Sequence, residues 1–250
     1  MSINDYPYKF EMHLHTSEAS ACAVNTGAEM VRAHFEAGYS GIYVTNHAWG
    51  GNTCIDRHLP FAEWVKEFSS GYYNALKEGD KLGMGVFFGW ESGYKGTEFL
   101  IYGLTPEWLK NHPSLWEASI EEQYKIIHED GGIVMHAHPY REEPYIPEIR
   151  LFPDFVDGVE ICNATHSSHL SHSHNNPEYD VLARKYAKEH NQPGVAGSDV
   201  HSVNVFGGGT LFKNKMISNN DFINALSTGT DYILTDGESY FSAFGDLLNI

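Results

Sequence analysis

An α/β fold, with strands and helices alternating around a largely parallel sheet, is predicted for this chain by three observations. Short apolar runs alternate with amphipathic stretches along the whole length. Seven or more of the runs have strand length, and neither an internal repeat nor a linker-like shift in composition divides them. With 250 residues, 42% of them hydrophobic, the chain can bury a full core, and a single domain over 1–250 is expected.

The elements follow in order. Tyr8 to Leu14 reads as the first strand. Thr26 and Glu29 have capping-box spacing and open a helix through Met30, Val31 and Phe35 that stops at Gly38. Gly41 to Thr45 is the second strand, and Pro60 to Lys77 carries helical spacing in Phe61, Trp64, Val65 and Phe68. Gly83 to Trp90 is the third strand and Phe99 to Leu104 the fourth. Ser119 to Asp130 reads as a helix ended by Gly131-Gly132, with Ile133 to Met135 as the next strand. Val156 to Cys162 is another strand, and Pro177 to His190 is a helix with proline in its first turn. Val195 to Gly197, Gly209 to Phe212 and Tyr232 to Leu234 complete the strand set.

Composition excludes some functions. Sixteen basic residues stand against 33 acidic ones, a formal charge of −17, whereas a binder of duplex nucleic acid displaces counterions with Lys and Arg. A large DNA or RNA substrate is therefore disfavoured, and bound cations would offset part of the acidic excess. No basic leader, long apolar run or lipidation signal is present, so a cytoplasmic protein without a membrane role is expected. Cys22, Cys54 and Cys162 are odd in number and lack CxxC spacing, which reads as reduced, buried thiols without disulfides. The unusual number is 15 histidines, and neutral imidazole is the commonest protein ligand for zinc, iron and similar ions.

Position makes that count informative, because the chemical residues gather where strands end. His13-Leu14-His15 closes the first strand, Asn46-His47 the second and Glu91 the third. His136-Ala137-His138 closes the Ile133 run, and Ser198-Asp199-Val200-His201 follows Val195 to Gly197. Side chains two apart on a strand share a face, so each HxH or DxH pair can aim two ligands at one point. In βα barrels the C-terminal strand ends converge on one mouth. About eight nitrogen and oxygen ligands would then meet there, more than the roughly four that one zinc takes. Two or three metals sharing a carboxylate fit that arithmetic.

His13-Leu14-His15-Thr16, Thr45-Asn46-His47, Glu91, Ala137-His138-Pro139 and Gly197-Ser198-Asp199-Val200-His201 resemble, in order and spacing, the motifs of the PHP (polymerase and histidinol phosphatase) superfamily. The resemblance implies a distorted (β/α)7 TIM-like barrel, a centre of about three divalent metal ions (Zn, Mn or Fe, identity open) and hydrolysis of small phosphate esters. It implies one metal on His13, His15, Glu91 and Asp199, and a second on Glu91 and His138. A third would take His47, His201 and Glu18. There are departures. Many relatives carry His or Asp after the HxHT motif, where the nearest match here is Glu18. Their Thr-Asp-His reads Thr45-Asn46-His47, and Glu98 is the candidate for a missing ligand between Glu91 and His138. These changes favour a harder, more oxygen-rich site.

The resulting expectation is a phosphoesterase acting on a phosphomonoester, such as a nucleotide or sugar phosphate, with a metal-bridging hydroxide as nucleophile. Glu91, Asp199 and His201 are its expected catalytic groups, with His201 or His47 helping to protonate the leaving oxygen. Arg141, three residues after His138, is placed to grip the phosphate in a planar fork. Blander readings stand beside these: Glu18 as a surface carboxylate, Glu98 as an exposed strand residue, His136 as a buried neighbour of the ligands. The His/Ser-rich stretch 165–174 reads either as a lid over the mouth or as a solvated loop. Among the aromatics, Trp90 reads as core, and Trp49, Tyr94 and Tyr140 as core or as a base-stacking pocket. The rival functions are a metal-dependent amidohydrolase or deacetylase, and a non-catalytic metal-binding module.

Overall fold

In this computed structural model, which describes residues 2–250, the first apolar run folds as strand β1 (Tyr8–Glu11) and helix α1 (Gly27–Glu36) follows. The capping box forms: the Thr26 hydroxyl accepts from the Glu29 N–H at 3.3 Å, and the Glu29 carboxylate accepts from the Thr26 N–H at 2.8 Å. Strand β2 (Gly41–Val44) leads to helices α2 (Phe61–Phe68) and α3 (Ser70–Leu82). The stretch read as one helix breaks at Ser69, whose hydroxyl donates back to the Val65 carbonyl at 2.7 Å.

The strand expected over 83–90 divides into β3 (Gly85–Phe88) and β4 (Trp90–Tyr94), followed by β5 (Thr97–Tyr102). Gly89 is the crossover. Its N–H still bonds to the Val44 carbonyl at 3.0 Å, while Trp90 already pairs with Ile101, and a Cβ on Gly89 would lie 2.6 Å from the Ile101 carbonyl oxygen. Helix α4 (Pro106–Lys110), helix α5 (Ile120–Glu129), β6 (Ile133–Ala137), β7 (Gly158–Asn163), the one-turn α6 (Ala164–Ser167) and α7 (Glu178–Glu189) come next. The chain ends with β8 (Gly194–Gly197), β9 (Gly209–Phe212), α8 (Asn219–Thr228), β10 (Tyr232–Thr235), β11 (Tyr240–Ser242) and β12 (Leu247–Leu248).

The strands form a mixed seven-stranded sheet, β12-β11-β10-β9-β1-β2-β3, and a five-stranded sheet, β4-β5-β6-β7-β8. The α/β class is as expected, but among the described residues the ladders do not close into the (β/α)7 barrel. The reason lies at β1. One edge pairs with β2, and the other is taken by antiparallel β9, with Tyr8, Lys9 and Phe10 opposite Phe212, Leu211 and Thr210. Strand β8 therefore reaches the first strand only beyond its end, at the Leu14–Val200 bridge. The second seam is equally slight, a single bridge between His47 and Glu91. Both seams run through the ligand motifs.

The core lies along the two sheets. Phe10, Tyr43, Tyr102, Phe212 and Phe222 pack edge to face or tilted on one side, with Phe10 and Phe222 centroids 5.0 Å apart. Trp64, Phe68 and Trp90 anchor a second apolar layer, and Trp49 packs against Trp64 at 5.4 Å. Tyr94 and Tyr140 also pack at the margins of these layers. No helix among the described residues is long and apolar enough to cross a membrane.

Candidate metal centre

The seams set the site. At the first, His15 N–H donates to the Val200 carbonyl at 3.0 Å and Val200 N–H donates to the His13 carbonyl at 3.2 Å, which joins the HxH motif to the Asp199 motif. At the second, Ala48 N–H donates to the Glu91 carbonyl at 2.8 Å, which joins His47 to Glu91. Four sets of three side chains each bring their donor atoms within 4.8 Å of one another: His13, Glu91 and His138; His13, His15 and Asp199; His47, Glu91 and Glu98; and His15, His47 and His201. Because the sets share members, they form one continuous cluster of eight predicted residues.

Glu91 sits at its centre. Its Oε1 lies 3.0 Å from His138 Nε2 and 3.4 Å from His13 Nε2, while its Oε2 lies 2.6 Å from His47 Nδ1 and 3.6 Å from His15 Nε2. Asp199 Oδ1 is 3.1 Å from His15 Nε2 and 3.4 Å from His13 Nε2. Glu98, on β5, stands 3.7 Å from His138 and 3.9 Å from His47. His201 Nδ1 donates to the Asp199 carbonyl at 2.8 Å.

The surroundings fix which ring nitrogen faces inward. The Glu160 carboxylate accepts from His13 Nδ1 at 2.9 Å, and the Ser20 hydroxyl lies 3.1 Å from His15 Nδ1. A carboxylate only accepts, and Ser20 already donates to Asn46 Oδ1 at 2.9 Å, so both rings carry the proton on Nδ1. Their Nε2 lone pairs then point into the cluster, the arrangement a metal ligand requires. Asn46 also accepts from Thr16 N–H at 2.7 Å and donates to the Thr16 hydroxyl at 3.0 Å. The Asn46 amide thus braces the HxHT turn as both acceptor and donor.

Electrostatics divides the cluster. Burial would raise Glu91, but the His47 and His13 imidazoles hold it well below the usual carboxylate range. Asp199 is likewise depressed, against burial, by His13 and Arg141. Glu98 goes the other way: burial and the neighbouring Glu91 charge push it up to about 8, outweighing His47 and Arg141. Burial and Arg141 bring His138 down to about 4. His138 and Asp199 also hold left-handed backbone, with φ of 25° and 51°, a conformation that costs a non-glycine residue on the order of 1 kcal/mol or more.

Some expected residues lie elsewhere. Glu18 is not in the cluster; its carboxylate accepts from the Gly27 N–H at 3.1 Å and from Asn74 Nδ2 at 2.9 Å, at the N-terminus of α1. His136 stacks on Phe99 at 5.1 Å and packs beside Tyr186, because the left-handed turn at His138 breaks the alternation that would have put both on one face. Arg141 is buried and opens onto the cavity, and its Nη2 lies 2.7 Å from Asp199 Oδ2. Of the cysteines only Cys162 is buried, and all three are free. Cys22 faces the cavity beside His47 and His201; partial burial alone would raise its thiol, but the neighbouring rings bring it down to about 6. Glu160 and Ser20 escaped the sequence reading, and Cys22 was read there as a buried thiol. Only Ser20 had a signal, its place five residues after His15 in a ligand-bearing turn.

The cluster floors a cavity of about 830 Å³. Leu170, His172, Ser173 and His174 line it, so the His/Ser-rich stretch forms part of its wall, tied down by a hydrogen bond between His174 and Glu143. Lys95, Tyr145 and Phe206 also line it.

The sequence model of a family described as PHP-associated matches residues 179–230, the stretch from α7 through Asp199 and His201 to α8. None of the curated proteins compared matches the chain. Among solved structures, the fold is similar to a two-domain protein from Bacteroides vulgatus containing a predicted PHP-like metal-dependent phosphoesterase, with a TM-score of 0.69 and 15% identity. That match covers 94% of this chain and 66% of the other, so this chain spans just under two thirds of its relative. A putative metal-dependent phosphoesterase from Bifidobacterium adolescentis matches at TM-score 0.53 and 14% identity, over 87% of this chain and 94% of that one. An amidohydrolase from Chromobacterium violaceum with bound sulfate and no metal matches at TM-score 0.50 and 15% identity, over 77% and 87%.

Proposed function

We propose that this chain, whose fold and PHP-associated segment are those of the PHP superfamily, is a metal-dependent phosphoesterase acting on a small phosphomonoester. One observation carries the reading. His13 Nε2 and His15 Nε2 are buried without a hydrogen-bond partner, and both point into the cluster that also holds His47 Nδ1 and Glu91 Oε2. Buried polar atoms of this kind are costly unless something binds them. Divalent cations fit: the donors are imidazole nitrogens and carboxylate oxygens, and Glu91 presents one oxygen to His13 and His138 and the other to His15 and His47.

His13, His15, Glu91 and Asp199 would hold one ion, Glu91, Glu98 and His138 a second, and His47 and His201 a third. Bound there, the ions supply polarisation of a phosphoryl oxygen and acidification of a water molecule. The chain's own residues do the rest. Arg141 offers a guanidinium to phosphate oxygens, and the 165–174 wall and Tyr145 limit water around the ester.

Elemental analysis with a panel of phosphomonoesters, assayed with and without chelator, tests the reading. Two to three metals per chain and chelator-sensitive phosphate release are expected. Metal-loaded protein that cleaves amides and no phosphate ester would support the amidohydrolase instead, and metal binding without any turnover would support a non-catalytic module.

A further inference from the structure

Behind Arg141 lies a buried chain that the phosphoesterase reading does not use. Arg141 Nε donates to His166 Nε2 at 3.2 Å, and His166 Nδ1 donates to Asp180 Oδ1 at 2.6 Å. Asp180 is itself clamped, since its Oδ2 accepts from the Asn163 N–H at 3.1 Å. All three side chains are buried: Arg141 is 3% exposed, His166 0% and Asp180 3%. They come from three places in the fold: the turn after β6, the one-turn helix α6 and the first turn of α7.

We infer that His166, oriented by Asp180, is a positioning residue that fixes the Arg141 guanidinium at the floor of the cavity for an anionic oxygen of the substrate. The inference rests on the phosphoesterase reading for what the arginine is held for, not for the holding itself. The chemistry of the contacts sets the tautomer. A carboxylate can only accept, so the His166 proton lies on Nδ1, and the lone pair on Nε2 is left to accept from Arg141. An arginine has five N–H donors in a rigid plane, and fixing Nε fixes the plane. Holding it with a neutral imidazole also matters. A carboxylate in that position would hold the plane as well but would neutralise the charge that an incoming phosphate needs, whereas here the Asp180 charge stands one ring further away. Among the described residues, Asp199, 2.7 Å from Nη2, is the only carboxylate in direct contact with the guanidinium, and it is also an expected metal ligand. Once its charge is shared with a cation, Arg141 faces the cavity with its own charge largely free.

The test uses His166→Leu, which removes the acceptor at similar volume, and His166→Gln, whose amide oxygen reaches about as far as Nε2. Metal content, kcat and KM on p-nitrophenyl phosphate, and inhibition by inorganic phosphate are measured for both, with the ring tautomer of His166 and the Arg141 Nε–H read by NMR in the wild type. The wild type should show the Nδ1–H tautomer and a slowly exchanging Nε–H. At full metal content the leucine variant should lose about tenfold or more in kcat/KM, with phosphate inhibition weakened to match. The glutamine variant should recover most of both. Equal losses in the two variants would reduce His166 to a packing role, and unchanged phosphate inhibition in the leucine variant would overturn the proposal. Should that variant fail to fold, an Nε2–H tautomer in the wild type would overturn it alone. A wild type that shows the predicted NMR signals but hydrolyses no phosphate ester would leave the positioning intact and remove the proposed function.

Discussion

Glu160 and His13 form the pair on which the proposed metal site hangs: both are fully buried, and the carboxylate accepts from the ring Nδ1 at 2.9 Å. The other Glu160 oxygen accepts from the His138 backbone N–H at 2.9 Å and from Asn163 Nδ2 at 3.2 Å. One side chain therefore fixes the ring of one expected ligand and the strained backbone of another. Glu160→Gln replaces one acceptor oxygen by an NH₂ group, which would face either His13 Nδ1–H or the His138 N–H. Metal affinity should fall roughly 10- to 100-fold, and titration with zinc or manganese followed by calorimetry measures it. Wild-type affinity in that variant would show that Glu160 is a bystander.

Glu91 touches four histidines with two oxygens, so Glu91→Gln should lose at least one metal and most hydrolysis. The fold should survive, since the amide relieves the anionic crowding with Glu98 and Asp199 that burial makes costly. Elemental analysis and a thermal melt on the same sample check both parts. Full metal content with full activity would remove Glu91 from the centre.

Glu18 makes the opposite prediction. Its carboxylate caps the N-terminus of α1 and ties it to Asn74, so Glu18→Ala should cost about 1 kcal/mol of stability. Metal content and kcat/KM should stay at wild-type values. A lost metal would return Glu18 to the ligand set.

The clustered motifs were legible because strand ends and HxH spacing are local, and seven of the eight residues that meet follow from that rule, while Glu98, which opens β5, came from the resemblance alone. What distance hides was not legible. Glu160 sits in the middle of an apolar run, GVEICN; the pairing of β6 with β7 brings it to the His138 N–H, and its contact with His13 joins β7 to the end of the first strand. Glu18 looked like a ligand because it lies three residues from His15, yet the turn after Thr16 carries it outward to α1. The barrel failed to close for a non-local reason too, the return of β9 to the free edge of β1 across the chain. His136 shows the limit of period-two reasoning, which assumes extended backbone where His138 is left-handed.

Acid stability should depend on His34, which is buried, hydrogen-bonded through Nδ1 to the Met30 carbonyl at 2.8 Å, and lowered by burial to about 4. The unfolded chain returns it to an ordinary value near 6.5. Between these two values the unfolded state binds more protons than the folded one, so stability is unaffected by this group above about 6.5 and falls as pH drops toward about 4. The loss is of the order of 3 kcal/mol, from about 1.4 kcal/mol per unit. Urea melts of His34→Phe, a ring of similar size beside Tyr39, should show a shallower decline over that range. An identical pH slope in the variant would show that other groups carry the acid sensitivity.

Arg141 separates phosphate-ester from amide chemistry. Its guanidinium is buried, sits 2.7 Å from Asp199 and opens onto the cavity, so a phosphate held at the cluster would have oxygens within reach of a planar donor. An amide substrate carries no such anionic group and needs no clamp. Arg141→Ala should therefore lower kcat/KM on a phosphomonoester about ten- to a hundredfold, the worth of one charge-assisted contact at roughly 1.5–3 kcal/mol. Arg141→Lys should recover only part, because an ammonium on a flexible stem cannot present the fork or bond to His166 in the same plane. Metal content should not fall in either variant: removing the cation that contacts Asp199 leaves that carboxylate freer to bind metal. Activity on an activated amide, if any is found, should be insensitive to both changes. Unchanged kcat/KM on the phosphomonoester at full metal occupancy would take Arg141 out of the mechanism, and with it the reason for His166 and Asp180 to hold it.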